Sequence, residues 1–329
     1  MNAAAAEADW AARYAGSTRD AYRRTLLELA EKDSRIFCLD SDTGGLEEGF
    51  GAALPGQYVN LGIAEANMMT VAAALAQSGK IPFVNTMASF ASSRACEQVK
   101  LDIAYNDLPV KIVASHGGIS GGYLGPTHHA LEDVAILRAF PNFTIIVPAD
   151  TVETVRAVAA ALALRGPAYI RLGRKSTPLV YQAEYAFSVG RAVTLRPGDD
   201  VTLIAAGSYP VLYALEAHER LRAAGVAARV INMHTLKPLD VAAVVAAAQE
   251  TRGLVTVEEH NIIGGLGSAV AEAACEHAPA PLRRVGIEDR FCDRVGGHED
   301  LLAAYGVTPE RICAAALGLL RARSPDPTD

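Results

Sequence analysis

Short apolar runs alternate with longer Ala- and Leu-rich stretches over the first half of the chain. Ile36 to Leu39 precedes Glu65 to Ala76, and Pro82 to Asn85 precedes Arg94 to Ala104. Val110 to Ser115 precedes Leu131 to Ala139, and Thr144 to Val147 precedes Val152 to Leu164. Brief apolar runs read as buried strands and the longer stretches as helices, so the pattern predicts the βα alternation of a mostly parallel sheet wrapped by helices. Local signals mark the helix ends. Asp150 with Glu153 three residues on predicts a capping box, and Gly166-Pro167 stops the same helix.

Residues 173–199 break this rhythm with Lys175-Ser176-Thr177-Pro178, a Tyr/Gln/Glu stretch and a Pro197-Gly198-Asp199 turn. That cluster of turn formers predicts a linker. A second α/β unit follows, with strands expected at Val201 to Ala205, Ala228 to Ile231, Leu254 to Glu258 and Arg284 to Ile287. Thr308-Pro309-Glu310 opens a last helix, a cap residue followed by proline at the first helical position. The predicted fold class is α/β, with two doubly wound, mostly parallel or mixed sheets. The expected division is a first domain over 15–175, a linker over 176–198 and a second domain over 199–322.

Composition fits that division, since 329 residues, half of them hydrophobic, suffice for two cores of ~150 residues each. A net charge of -7 offers no basic surface, which argues against nucleic acid or an anionic membrane as partner. The five cysteines, Cys38, Cys96, Cys275, Cys292 and Cys313, are scattered, with neither a CxxC pair nor metal-ligand spacing. No disulfide framework and no metal site on this chain are expected, and the compartment reads as reducing. Met1 to Asp9 lacks the basic and apolar regions of a signal peptide, and apolar runs such as Val241 to Ala248 fall far short of the ~20 residues of a membrane span. A soluble, cytoplasmic protein is expected.

Two stretches carry candidate chemistry. Asn60-Leu61-Gly62-Ile63-Ala64-Glu65-Ala66-Asn67 sets one carboxylate at the mouth of a glycine turn, just ahead of an Ala/Met-rich helix. Such an acid either serves chemistry or simply complements the helix dipole. The second stretch runs from Ser115 to His129, with five glycines in the nine residues from Gly117 to Gly125 and histidines at both ends. Glycines let backbone approach a ligand closely, and a loop after a parallel strand lies at the edge where open α/β sheets bind ligands. A plain turn is the competing reading. No Gly-Lys-Ser/Thr follows, so this is not a nucleotide P-loop.

Together these stretches resemble the transketolase family, and the resemblance runs over roughly residues 15 to 320. The Glu65 segment is similar to the element that presents a glutamate to the aminopyrimidine ring of thiamin diphosphate. His116 and the Gly-Pro-Thr-His128 run, twelve residues apart and followed by Ala130-Leu131-Glu132-Asp133, resemble the substrate loop of the pyrimidine-binding domain. Asn85-Thr86-Met87-Ala88-Ser89-Phe90, followed by Arg94-Ala95-Cys96-Glu97-Gln98, resembles the segment whose aromatic ring stacks on the aminopyrimidine. In the second half, Lys237-Pro238-Leu239-Asp240 and Glu258-Glu259-His260 leading to Gly264-Gly265-Leu266-Gly267 match the transketolase C-terminal domain. Read from the residues alone, that glycine run and His260 are architectural.

The resemblance implies a set of roles. Glu65 acts as the acid on the aminopyrimidine, which requires that it hold a proton near neutral pH and therefore be desolvated. Phe90, with Met87 and Asp42, lines the cofactor pocket. His116, Arg19 and Arg174 take the substrate phosphate, for which guanidinium forks are suited, and His128 takes the donor's hydroxyl end. The family's diphosphate is gripped through a metal held by a Gly-Asp-Gly segment, and no Gly-Asp-Gly occurs in this sequence. The implied protein is thus the C-terminal subunit of a split transketolase. It would share thiamin diphosphate, with Mg2+ or Ca2+ held by the partner, with a separate N-terminal subunit in an α2β2 heterotetramer.

The implied reaction moves a two-carbon ketol unit from a ketose phosphate to an aldehyde. Gly122-Tyr123-Leu124-Gly125 stands where the family carries Gly-Glu-Asp-Gly, and Met87 stands where it carries phenylalanine. An apolar pair leaves a buried substrate hydroxyl without a partner at ~1–3 kcal/mol, which implies an acceptor other than the usual aldose phosphates. A 1-deoxyxylulose-phosphate-synthase-like chain, a 2-oxo acid dehydrogenase β-like subunit and a catalytically silent regulatory subunit are the alternatives. Gly-Pro-Thr-His128 argues against the second, and Glu65, Phe90 and the two loop histidines argue against the third.

Overall fold

The computed structural model describes residues 10 and 12–321. The expected domain end at residue 322 and the Met1 to Asp9 segment lie outside the described residues. The strands are β1 (Ile36–Asp40), β2 (Tyr58–Asn60), β3 (Ile81–Met87), β4 (Lys111–Ser115), β5 (Thr144–Ile146), β6 (Ala168–Arg171), β7 (Val193–Arg196), β8 (Val201–Ala206), β9 (Ala228–Asn232), β10 (Thr235–Lys237), β11 (Leu254–Asn261) and β12 (Leu282–Ile287). The helices are α1 (Thr18–Ala30), α2 (Glu65–Gln77), α3 (Asp133–Arg138), α4 (Thr151–Leu162), α5 (Ser208–Ala223), α6 (Val241–Glu250), α7 (Leu266–His277), α8 (His298–Ala304) and α9 (Pro309–Arg321).

Two α/β sheets result, as expected. The first has the order β10-β5-β6-β4-β3-β1-β2 and the second β12-β11-β8-β9-β7. All pairings are parallel except those of the edge strands β10 and β7. Central β4 is buried at all five positions, the mark of a strand covered on both faces, whereas edge strand β7 alternates between half-buried and exposed.

Local chemistry accounts for most helix ends. Ser17 and Asp20 make a reciprocal capping box on α1. Thr308 accepts a hydrogen bond from the Arg311 amide, as its position before Pro309 predicts. Asp150 caps α4 by accepting from the Glu153 amide, but the Glu153 carboxylate accepts from Ala149 N at 2.6 Å, so the expected box is one-sided. Pairing across the chain departs further from expectation. The predicted linker carries edge strand β7, and β10, although it follows β9, crosses back to complete the first sheet beside β5. Arg94 to Ala104 is not one regular helix. Wide π-type turns over Phe90–Arg94 and Val99–Ala104 flank a single α turn at Cys96–Gln98.

Candidate active site

The residues given cofactor or substrate roles above lie at one edge of the first sheet, or on the helix end beside it. Because β1, β2, β3, β4 and β6 are parallel, the chain leaves all of them on the same side. Asp42 follows β1, Glu65 follows β2, Met87 ends β3 with Phe90 three residues on, His116 follows β4 and Arg174 follows β6. Arg19 sits in the first turn of α1.

Glu65 reaches its place through a tight turn. The Asn60 side chain accepts from the Gly62 amide at 2.9 Å, and Gly62 adopts φ 68, so the chain reverses before α2 begins at Glu65 itself. Met68, Met69, Ala72, Ala73 and Ala76 then bury the inner face of α2. The carboxylate is 2% exposed, as an acid working beside a cofactor ring requires. Its neighbour was not expected: Arg94 Nη1 donates to Glu65 Oε2 at 2.9 Å, and the same guanidinium lies 4.0 Å over the Phe90 ring. The acid therefore meets a cation rather than an apolar wall. Phe90 also meets the His128 imidazole edge-on at 5.3 Å. On the same strand end, Thr86 Oγ1 and Ser89 Oγ are buried without a hydrogen-bond partner among the described residues. A half-buried aromatic face beside a buried carboxylate suits a planar, polar ring of the aminopyrimidine kind.

His116 is buried and held at φ 60, and Asp42, at the exposed turn after β1, adopts φ 63. Left-handed backbone at residues other than glycine costs about 1–3 kcal/mol each and gathers at ligand sites. Ser115 Oγ and His116 Nδ1 lie 2.8 Å apart. Burial, reinforced by Arg174, Arg19, His128 and Arg23, pushes the His116 pKa down to about 4, so the imidazole is neutral at pH 7. Arg19, Arg23 and Arg174 thus surround an uncharged ring. Among the described residues none of the three forms an ion pair. Arg19 Nε is buried without a partner among the described residues, and burial together with Arg23 lowers the Arg19 pKa against the opposing pull of Asp20. Three arginines with only the Asp20 carboxylate near them carry an excess of positive charge that suits an anion. Arg23 was missed from the sequence, although its spacing of four from Arg19 puts both on one helix face.

The glycine loop is braced by the second half of the chain. Glu259 Oε1 accepts from Ile119 N and lies 2.8 Å from His298 Nε2, and a side chain at Gly118, whose φ is +65, would collide with that carboxylate. Arg171 spans the junction, bonding Asp133 Oδ2 at 2.7 Å, the Ala130 carbonyl and the Glu259 carbonyl. Glu258 accepts from Leu266 N and Gly267 N at the start of α7, and Gly265 is glycine because a Cβ would strike that carboxylate. The Glu258–Gly267 motif is therefore architectural, in line with the reading from its residues. At the loop's lip Tyr123 and Leu124 face solvent, and Val295 packs against Gly125.

With this geometry in hand, the relationships are informative. Residues 15–180 match the family model of the transketolase pyrimidine binding domain, and residues 190–312 match that of the transketolase C-terminal domain. The chain belongs to the transketolase family. Two relatives of similar length are transketolase subunits. It is 44% identical over 300 residues to the 6-deoxy-6-sulfo-D-fructose transketolase subunit SqwH of Clostridium sp. (strain MSTE9), covering 91% of this chain and 92% of that one. It is 42% identical to an apulose-4-phosphate transketolase subunit of Phocaeicola vulgatus, covering 92% and 97%. A solved split-gene transketolase, described as an inactive beta4 tetramer, superposes with a TM-score of 0.86 at 42% identity, covering 94% of this chain and 99% of that one. This chain corresponds to the C-terminal subunit of split transketolases.

Proposed function

We propose that this chain supplies the pyrimidine half of a two-subunit transketolase that moves a two-carbon ketol unit from an anionic ketose to an aldehyde. The observation that carries the reading is the convergence of Glu65, Phe90, His128, His116 and the arginine cluster on one sheet edge. Thiamin diphosphate, when bound, supplies the carbon nucleophile and electron sink for such a transfer. In this reading Glu65 holds the proton at the aminopyrimidine, Phe90 and Met87 pack its faces, and Asp42 lines the rim. His128 orients the donor hydroxyls. His116, Arg19 and Arg174, joined by Arg23, hold the donor's phosphate or sulfonate end. Residues 15–175 form the ligand-facing domain, and the domain over 199–322 braces it.

The diphosphate and its Mg2+ or Ca2+ belong, in this reading, to a separate N-terminal subunit, and two of each chain close an α2β2 assembly. Exposed apolar side chains beside the site support such a contact, since Ile63 is 74% exposed two residues before Glu65 and Tyr105 is 84% exposed on the neighbouring segment. The inactivity of the related beta4 tetramer supports the need for a partner. Among the described residues no helix is long and apolar enough to cross a membrane, in keeping with an enzyme of the cytoplasm.

Reconstitution tests the proposal. The purified chain should show no thiamin-diphosphate-dependent ketol transfer, and adding a subunit that carries the diphosphate-binding domain should restore it. Activity in the chain alone would overturn the split-site reading.

A further inference from the structure

Arg94 makes, by itself, the two contacts that a stacked aminopyrimidine would need. Its Nη1 reaches Glu65 Oε2 at 2.9 Å and its guanidinium carbon lies 4.0 Å from the Phe90 centroid. A guanidinium is flat, delocalised and donor-bearing, so it both stacks on an aromatic face and satisfies a carboxylate. The burial pattern is lopsided: Glu65 is 2% exposed while the Arg94 side chain is 47% exposed. Glu65 is thus fixed in the wall, and Arg94 reaches it from an open side. A buried carboxylate with no counterion is strongly disfavoured, so the chain alone needs some cation there.

We infer that Arg94 is a stand-in for the cofactor ring, holding Glu65 and Phe90 in place in the free subunit and swinging out when thiamin diphosphate arrives. This inference rests on the reading of Glu65 and Phe90 under Proposed function. Arg94 engages only Oε2 of Glu65, but its guanidinium lies 4.0 Å over Phe90 and covers a ring face on which an aminopyrimidine would stack, so the two occupants exclude each other at that face. The local backbone is suited to release. Phe90–Arg94 is a wide π-type turn, and Arg94 donates to no other acidic side chain among the described residues. Displacing Arg94 then draws on the cofactor's binding energy, and the observed affinity is lowered by the fraction of subunits in which Arg94 still occupies the seat.

The test compares wild type, Arg94→Gln and Arg94→Lys, each assembled with the N-terminal subunit and titrated with thiamin diphosphate and Mg2+ by calorimetry. In parallel, the melting temperature of each free chain is measured. Arg94→Gln is expected to bind about threefold or more tightly and to melt lower as a free chain. Arg94→Lys keeps a cation on Glu65 and is expected to bind close to wild type. A residue that merely supports the fold would not tighten binding when removed. Saturable binding that is unchanged or weaker in Arg94→Gln overturns the stand-in role and leaves the cofactor reading intact. No saturable binding in any of the three assemblies overturns both.

Discussion

The carboxyl edges of the two sheets carry similar residues and treat them oppositely. At the first edge, beyond β1 to β6, Thr86 Oγ1, Ser89 Oγ and Arg19 Nε are buried without partners among the described residues, His116 and Asp42 sit in left-handed backbone, and three arginines gather with no ion pair among the described residues and only Asp20 near them. At the second edge, beyond β11, Glu258 and Glu259 are fully engaged. The first closes the start of α7, and the second ties Ile119 to His298. Acids and histidines occur at both edges, so residue type does not separate a site from a brace. What separates the ends of β3 and β4 from the end of β11 is whether the buried acids and hydroxyls are already satisfied, although Asn232 Oδ1 at the end of β9 and His234 Nε2 just past it also lack a partner among the described residues.

Breaking that contrast gives measurable outcomes. Among variants away from Glu65, the largest effect is expected from Arg174→Ala in the assembled enzyme. Losing a charge-assisted contact of ~1.5–3 kcal/mol should cut kcat/KM for a phosphorylated donor about 10- to 100-fold. A donor without the anionic group should be little affected, and steady-state kinetics with the pair of donors checks this.

Glu259→Ala acts at the brace. It leaves Ile119 N and the His298 ring without their shared acceptor, so stability should fall by about 1–3 kcal/mol, read by denaturant unfolding. Turnover should fall less than in a variant at the first edge.

A further effect is a change of pH profile. Burial pushes the Glu258 carboxyl up to about 7 from an ordinary value of 4.5. Between those values the folded chain alone holds the proton, so this group's contribution is full below about 4.5 and is lost as the pH rises through about 7. His260, lowered by burial to about 4, pulls the opposite way between about 4 and 6.5, because there the unfolded chain holds the extra proton. The clean observable is the difference between wild type and Glu258→Gln. That difference should slope downward with pH from about 4.5 to 7, and a flat difference would remove Glu258 as its source.

The sequence made the first edge legible because its signals are local. Glu65 announces itself by a glycine turn and an Ala/Met-rich helix, and the glycine loop by its composition after an apolar strand. Asp150 and Thr308 read as caps from neighbouring residues alone. The unread features all join distant segments. Arg94 meets Glu65 across 29 residues and Glu259 meets Ile119 across 140, while β10 returns to a sheet whose other strands were complete by residue 171. Periodicity reports which face of an element is buried, not what covers it. Edge strand β7 was hidden for a related reason, since its half-exposed alternation lies within a stretch of turn residues. Arg23 stands between the two cases, visible by its helical spacing from Arg19 but meaningful only once Arg174 and His116 are beside it.

The central claim is that the first edge is a working half-site organised on Glu65, while the second edge holds it still. Turnover and melting temperature of Glu65→Gln, measured on one preparation of the assembled enzyme, address it directly. The account predicts turnover reduced by ~10²-fold or more, the scale of a positioned acid/base group, with melting close to wild type because the amide can still occupy the buried pocket. Turnover near wild type, or a collapse in stability that accounts for the whole loss, would contradict it.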